Sequence, residues 1–244
     1  MPTSDQSHGP AGRPHVLDNA MWAAVSGPHR HLADVVGMAA RYHTDVAPFV
    51  ALADPADPQS WADAAKLIVP GGAFALAGSF TPPDGWTVRE PMLGVQMVAT
   101  PALQDRRDPQ VEPLGPADVP EMLDLVSHAQ PGPFLPRTIE MGAYYGLRDG
   151  GRLVAMAGER VHPPGWTEVS AVCTDEEHRG RGLAGRLVRH VAAGIRARDE
   201  TPFLHAAATN TGAVRLYEAL GFTLRRTLHF HGLRVPEAAR GGLG

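Results

Sequence analysis

The stretch that decides the fold is Val172 to Gly185, VCTDEEHRGRGLAG. A β-branched, apolar run ends at Thr174, a charged turn follows, and glycines at 180 and 182 lead straight into a helical pattern. In that pattern Leu183, Leu187, Val191 and Ile195 form one row, Ala184, Val188 and Ala192 the next, and arginines take the other face. A strand, a glycine-rich turn and a helix in that order make an anion site. The first N–H groups of a helix have no partner inside it, and with the helix dipole they attract phosphate. Glycine lets the backbone approach such a ligand without a Cβ in the way. Arg179 and Arg181 add positive charge beside it.

Two common phosphate loops do not fit. Gly180, Gly182 and Gly185 spell the dinucleotide fingerprint, but the charged loop Asp175 to Arg179 separates the strand from the first glycine. Only about 60 residues follow, too few for the rest of a doubly wound domain, and Thr209 and Asn210 stand where the ribose-binding acid belongs. No Gly-Lys-Ser/Thr is present for a Walker loop.

Outward from the turn, the pattern is that of a mixed α/β chain. Upstream, Trp166 to Thr174, Leu153 to Val161 and Tyr144 to Leu147 read as strands, joined by turns at Asp149-Gly150-Gly151 and His162-Pro163-Pro164-Gly165. Val119, Met122, Leu123 and Val126 mark one face of a helix opened by Pro116 and Asp118. Downstream, Phe203 to Ala208 is a strand, Thr211 to Leu220 a helix stopped by Gly221, and Phe222 to Leu233 the last strand region.

The first hundred residues carry no catalytic motif. Leu17 to Ala40 reads as helical in pieces, Phe49 to Ala53, Ala73 to Ala77 and Met92 to Ala99 as strands, and Trp61 to Val69 as a short helix. The polar segment Leu103 to Gln110 reads as a linker. The expected organisation is therefore an N-terminal α/β domain at 1–102, a linker at 103–110, a second domain at 111–236 and a flexible tail at 237–244. Met1 to His15 reads as a frayed terminus.

Bulk properties exclude several function classes. The chain has 244 residues, 43% of them hydrophobic, with a formal net charge of −4. General nucleic-acid binding rests on phosphate neutralisation, which an acidic chain serves poorly. No apolar run approaches the roughly 20 residues of a membrane span. The single cysteine, Cys173, excludes an internal disulfide and a cysteine-based zinc site, and points to a reducing, cytoplasmic setting. His29/His31 and His229/His231 form H-x-H pairs, but nothing in the sequence completes a metal site around either.

Arg179 to Ala184 spells R-x-x-G-x-A. It is followed by Asn210-x-x-Ala213-x-x-Leu216-Tyr217-x-x-x-Gly221-Phe222. Together, in that order and at that distance, these blocks resemble the two CoA-binding motifs of the GNAT superfamily of N-acetyltransferases. The resemblance is close from Trp166 to Phe230 and looser back to Val111, and the segment is also similar to the glycine N-acyltransferase-like group. It implies a GNAT fold in the C-terminal half and acetyl-CoA as cosubstrate, with no metal. The smaller N-terminal part is open to reading as a degenerate GNAT-like half.

The resemblance also implies roles. Val172 to Thr174, Cys173 among them, would lie along the pantetheine arm, with Val172 and Thr174 binding it through backbone groups. Arg179, Gly180, Arg181, Gly182, Leu183 and Ala184 would hold the pyrophosphate, and Asn210 would reach the pantetheine while also serving as a helix cap. Tyr217 would protonate the departing CoA thiolate. An amine attacks only when unprotonated, so a base or a water chain is expected. Glu168 is the first candidate and Glu159 the second. Glu176 stands where the family often has proline, so the loop is expected to differ slightly in shape. Cys173, facing away from Val172 and Thr174, is not expected to be a nucleophile.

The expected reaction is direct transfer to a primary amine of a small molecule or peptide. The alternatives are an acyl-CoA sensor without catalysis and an enzyme for longer acyl chains. The N-terminal part, with Trp22, Tyr42, Phe49, Trp61 and Phe74, is expected to wall the acceptor cleft.

Overall fold

The structure, a computed structural model, describes residues 14–237. The N-terminal expectations for 1–13 and the tail beyond 237 lie outside the described residues. A 3-10 turn at Val16–Asn19 leads into helix α1 (Ala20–Val25), where the Asn19 side chain accepts from the Trp22 N–H. Helical character ends with a second 3-10 turn at Arg30–Leu32. From there to Ala40 the expected helix gives way to strands β1 (Ala33–Val36) and β2 (Ala39–Tyr42). The physical reason lies in Val35-Val36, which favour an extended backbone, and in Gly37, whose φ of +51° turns the chain between the two strands. Strand β3 (Val50–Leu52) completes an antiparallel three-stranded sheet in the order β1-β2-β3.

Helix α2 (Pro58–Leu67) starts with Asp57 as its cap and proline in the first turn, where no N–H is needed. Strands β4 (Ala73–Ala77), β5 (Thr87–Val88) and β6 (Met92–Ala99) follow. The remaining elements are β7 (Glu112–Leu114), α3 (Val119–Ala129), β8 (Tyr144–Asp149), β9 (Arg152–Glu159), β10 (Trp166–Thr174), α4 (Leu183–Arg196), β11 (Thr201–Ala207), α5 (Thr211–Leu220) and β12 (Phe222–Arg234). Gly221, at φ +105°, ends α5 as the sequence led one to expect.

The larger sheet has nine strands in the order β4-β12-β6-β11-β10-β9-β8-β7, with β5 beside β12. It is mixed: β10 and β11 run parallel, and the pairings of β6 with β11 and β12 and of β9 with β8 and β10 are antiparallel. Strand β6, from the first hundred residues, lies between β11 and β12 and pairs along both. The sheet is thus continuous across the 103–110 segment, and the expected division at that segment is not a division of the sheet. The segment itself is laced to α4. Arg196 donates to the Leu103 carbonyl at 2.7 Å, Arg186 donates to the Asp108 carboxylate at 2.7 Å, and the Asp108 N–H donates to His190 Nδ1 at 3.1 Å.

Successive strand residues face opposite sides of the sheet. Val95, Met97, Leu204 and Phe222 pack with Leu187, Val191 and Leu220 of α4 and α5. On the other face, Phe203 packs with Leu17, Met21, Tyr42 and Phe49 from the N-terminal part, and Met156 and Tyr144 pack with Met122 of α3. Trp61 and Phe74 belong to a further cluster with Leu233. Burial of each such side chain stabilises the fold by about 1.5–3 kcal/mol before entropy is counted.

Candidate active site

The site begins where two strands part. β10 and β11 pair only from Trp166–Thr201 to Glu168–Phe203. Beyond that, β11 keeps its other edge on β6, while β10 bulges against β9 between Ser170 and Cys173 around Ala171, which sits at φ +51°. The result is a fork. Asp175 N–H donates to the Val154 carbonyl on the β9 side. By alternation, Thr174 and Val172 turn their N–H and C=O groups towards the open side. An extended ligand lying in the fork would find the unpaired edge of a strand. Val172 packs towards α4, and Cys173 packs on the opposite face with Met156 and Tyr144. Burial pushes the Cys173 thiol up to about 12, so it is not poised as a nucleophile.

The turn at the end of β10 follows from its polar residues. The Asp175 carboxylate accepts from the Glu177 N–H at 3.0 Å and pairs with Arg152 at 2.9 Å. This closes a 3-10 turn at Glu176–His178, with Glu176 exposed on it. Gly180 and Gly182 have φ of +75° and +73°, a conformation that costs a side-chain-bearing residue about 1–2 kcal/mol. No atom lies within 4 Å of where a Cβ would stand at either glycine. Glycine is therefore needed here for the path of the backbone, and the space in front of it is open. α4 starts at Leu183 with no side-chain cap. The N–H groups from Gly180 to Gly185, including those of Arg181, Leu183 and Ala184, have no hydrogen-bond acceptor among the described residues. Arg179 and Arg181 are exposed at the mouth, and Arg181 reaches Asp149 at 3.4 Å.

Asn210 caps α5: its Oδ1 accepts from the Ala213 N–H at 3.1 Å. Tyr217 lies on the buried face of the same helix, 7% exposed, in the cluster that holds Leu183 and Val172. Its hydroxyl makes no hydrogen bond among the described residues, and its ring meets Phe222 edge-on at 6.1 Å. Burial first, and the nearby Cys173 second, push the phenol up to about 12, so it is protonated at neutral pH.

The two carboxylates singled out as bases sit in different surroundings. Glu168 is fully buried. Its oxygens accept from Arg160 Nε and Nη2 at 2.9 and 2.7 Å and from His205 Nδ1 at 2.8 Å. Burial alone would raise its pKa. The charge and hydrogen bonds of Arg160, with the bond from His205, outweigh that and hold the carboxylate well below the usual range. A carboxylate so occupied is a weak proton acceptor, which argues against the expectation that Glu168 itself is the base. Glu159 is also buried and accepts from Arg198 at 2.9 Å. His205 and its partner Gln96 carried no motif, and their sequence neighbourhoods gave no signal. Only the pairing of β6 with β11 brings them together. No group of three or more metal-binding side chains occurs among the described residues.

A solved GNAT-family protein from Novosphingobium aromaticivorans is 41% identical to this chain. The match covers 90% of this chain and 98% of that one, with a TM-score of 0.82. The chain belongs to the GNAT family. The coverage is too large to stop at the 103–110 segment, so the likeness to this GNAT protein includes N-terminal strands. The model of the FR47-like protein family matches residues 144–231, which hold the fork, the turn and α5. Among curated relatives, mycothiol acetyltransferase of Mycobacterium avium is 40% identical over 83 residues, 30% of this chain and 26% of its own length. N-alpha-acetyltransferase RimI of Mycobacterium tuberculosis is 37% identical over 82 residues, 32% of this chain and 51% of its own length. The chain thus spans only about a quarter to a half of these curated relatives. As a GNAT protein it is an acyltransferase, with the mixed α/β fold that the C-terminal motifs implied.

Proposed function

We propose that this chain transfers the acetyl group of acetyl-CoA directly to a primary amine of a small molecule or peptide. The observation that carries this reading is the fork between β10 and β11 opening onto a turn of unpartnered N–H groups from Gly180 to Gly185. A pantetheine arm is a peptide-like chain, and it fits the free edge of Val172 and Thr174. A pyrophosphate fits the turn, where N–H groups and the helix dipole act together, with Arg179 and Arg181 contributing charge. The amide nitrogen of Asn210, which its capping bond leaves free, would donate to the arm. Tyr217, protonated and without a hydrogen-bond partner among the described residues, would give its proton to the departing thiolate.

The names of the curated relatives include both a small-molecule and a protein acceptor, so they support an amine acceptor as a class without choosing within it. The single, free and buried cysteine fits a reducing, cytoplasmic setting. The test is acetyl-CoA titrated by calorimetry into the full chain, followed by a panel of amines with thiol release as readout. Binding without release from any amine would favour a sensor. Faster release from a longer acyl-CoA would move the reading to that substrate.

A further inference from the structure

We propose that the Tyr144 hydroxyl and the Nη1 of Arg160 recognise an oxygen of the acceptor that stands beside its amine, a carbonyl or a carboxylate. This deepens the acetyl-transfer reading above and rests on it.

Tyr144, Gly158 and Ser170 form one row across β8, β9 and β10. The row lies on the sheet face away from α4, since its sequence neighbours Tyr145, Ala157 and Val169 pack on the α4 side. Gly158 makes room for the Tyr144 ring: a Cβ there would collide with its Cγ, Cδ1 and Cε1. The ring thus lies across β9, and Phe134 meets it edge-on at 5.4 Å. The hydroxyl is buried and has no hydrogen-bond partner among the described residues. A buried hydroxyl left bare is costly and rare, so this one calls for a partner that the described residues do not supply. Burial raises the phenol's pKa, and the charges that act on it next are those of Arg160, Glu168 and Glu159. The group therefore keeps its proton and can donate it in a hydrogen bond.

Arg160 and Glu168 form the next row on the same face. Nε and Nη2 of Arg160 are taken by Glu168, at 2.9 and 2.7 Å, and the guanidinium stands over the Phe49 ring, 5.3 Å from its centroid. These contacts fix its plane. Nη1 has no hydrogen-bond partner among the described residues, and a guanidinium only donates. Ser170, the next residue on this face after Glu168, stands where β11 has left β10; it is half-buried, and its hydroxyl makes no hydrogen bond among the described residues. Val172 and Tyr217 belong to the α4 side. With the pantetheine held there, the acceptor enters from the face of Tyr144, Arg160 and Ser170. The nearby carboxylates are occupied, Glu168 by Arg160 and Glu159 by Arg198. What this face offers an acceptor is therefore donors, one of them charged, and they suit an oxygen.

The test uses the full chain, acetyl-CoA and three small amines. Alaninamide carries a carbonyl beside its amine, alanine a carboxylate, and isopropylamine neither. Each is measured as a substrate and as an inhibitor of the amine of the panel that is acetylated fastest, with constants referred to the unprotonated amine. One of the two oxygen-bearing amines should be favoured over isopropylamine by about 10- to 100-fold, the range for hydrogen bonds to charged groups. Alaninamide ahead assigns a carbonyl, alanine ahead a carboxylate. Tyr144→Phe removes an unpartnered hydroxyl and leaves the ring, so the melting temperature and CoA affinity should hold while that preference falls by about fivefold or more. A merely structural tyrosine would leave the preference where it is. A preference near one in the unaltered protein, no inhibition by any of the three amines, or a preference untouched in the folded variant would overturn the assignment. The first two are read without the variant. A chain that acetylates no amine of the panel would overturn the acetyl-transfer reading, and this inference with it, and is distinguishable because it shows before the three amines are compared.

Discussion

Three side chains show how far a residue's sequence context predicts its chemistry. Tyr217 is legible because it stands in the block that resembles the second GNAT motif, its helical spacing alone marking only a buried aromatic; the structure then adds that its hydroxyl makes no hydrogen bond among the described residues and that burial holds its proton. Tyr217→Phe should leave CoA binding intact and lower kcat by about 10²- to 10⁴-fold, provided single-turnover measurements show chemistry to be rate-limiting. An unchanged kcat would return Tyr217 to the core. Glu168 is legible as a strand carboxylate next to the turn, but nothing in the sequence pairs it with Arg160. That contact depends on how the chain leaves β9 and re-enters as β10, with the Arg160 N–H donating to the Glu168 carbonyl. Glu168→Gln should leave a buried guanidinium uncompensated and destabilise the fold by about 3–5 kcal/mol in denaturant titration. The pH dependence has a definite sign. Because the folded carboxylate is held below its ordinary range, its contribution is fully present above that range and is lost only as pH falls through the depressed folded value. Between pH 6 and 8 the pair should therefore leave stability flat. Asn210 caps the helix through Oδ1, which leaves its amide nitrogen for the pantetheine contact proposed above.

Among elements, those with strong periodicity read most clearly. α4 buries Leu183, Leu187, Val191 and Ile195 as its spacing demands. β10 and α5 begin and end where the alternation and Gly221 put them. β1 and β2 were hidden, because four-residue strands with short apolar runs have no period that separates them from a broken helix. The bulge in β10 was also hidden, since no glycine marks it and Ala171 takes the positive φ. The Gly180–Gly182 turn separates backbone path from ligand contact in a way that mutation can follow. Gly182→Ala places a methyl in open space, so it should cost only the φ strain, about 1–2 kcal/mol of stability, with modest loss of CoA affinity. Gly182→Asp adds a negative charge beside the expected pyrophosphate and should weaken CoA binding far more than the alanine does. Calorimetry on both folded variants checks this, and equal affinities would remove the pyrophosphate from this turn.

At the scale of the molecule, the sequence points to two units and the sheet is one. The reason is physical: strand pairing across more than a hundred residues leaves no trace in local periodicity. β6 reads as a strand on its own alternation, while its partners β11 and β12 are set by the fold as a whole. The N-terminal part is built into the sheet and its core. It supplies Gln96 to His205, Tyr42 and Phe49 to the core around Phe203, and the strand that joins β11 to β12. Deleting Met1 to Ala102 would strip those pairings and those of β4 and β5, baring one edge of β11 and both edges of β12, together with the apolar face now covered by Leu17, Met21 and Phe49. Unpaired edges and uncovered apolar faces drive association. A fragment starting at residue 103 is therefore expected to be insoluble or to lack cooperative unfolding, although it contains both CoA motifs. Co-expression with a separate fragment of residues 1–102 should restore a soluble complex that binds CoA, because the missing contacts are non-covalent. Sedimentation and thermal melts of the two preparations distinguish the cases. A soluble, monomeric fragment with a cooperative melt and full CoA affinity would show that β11 and β12 close the sheet without β6.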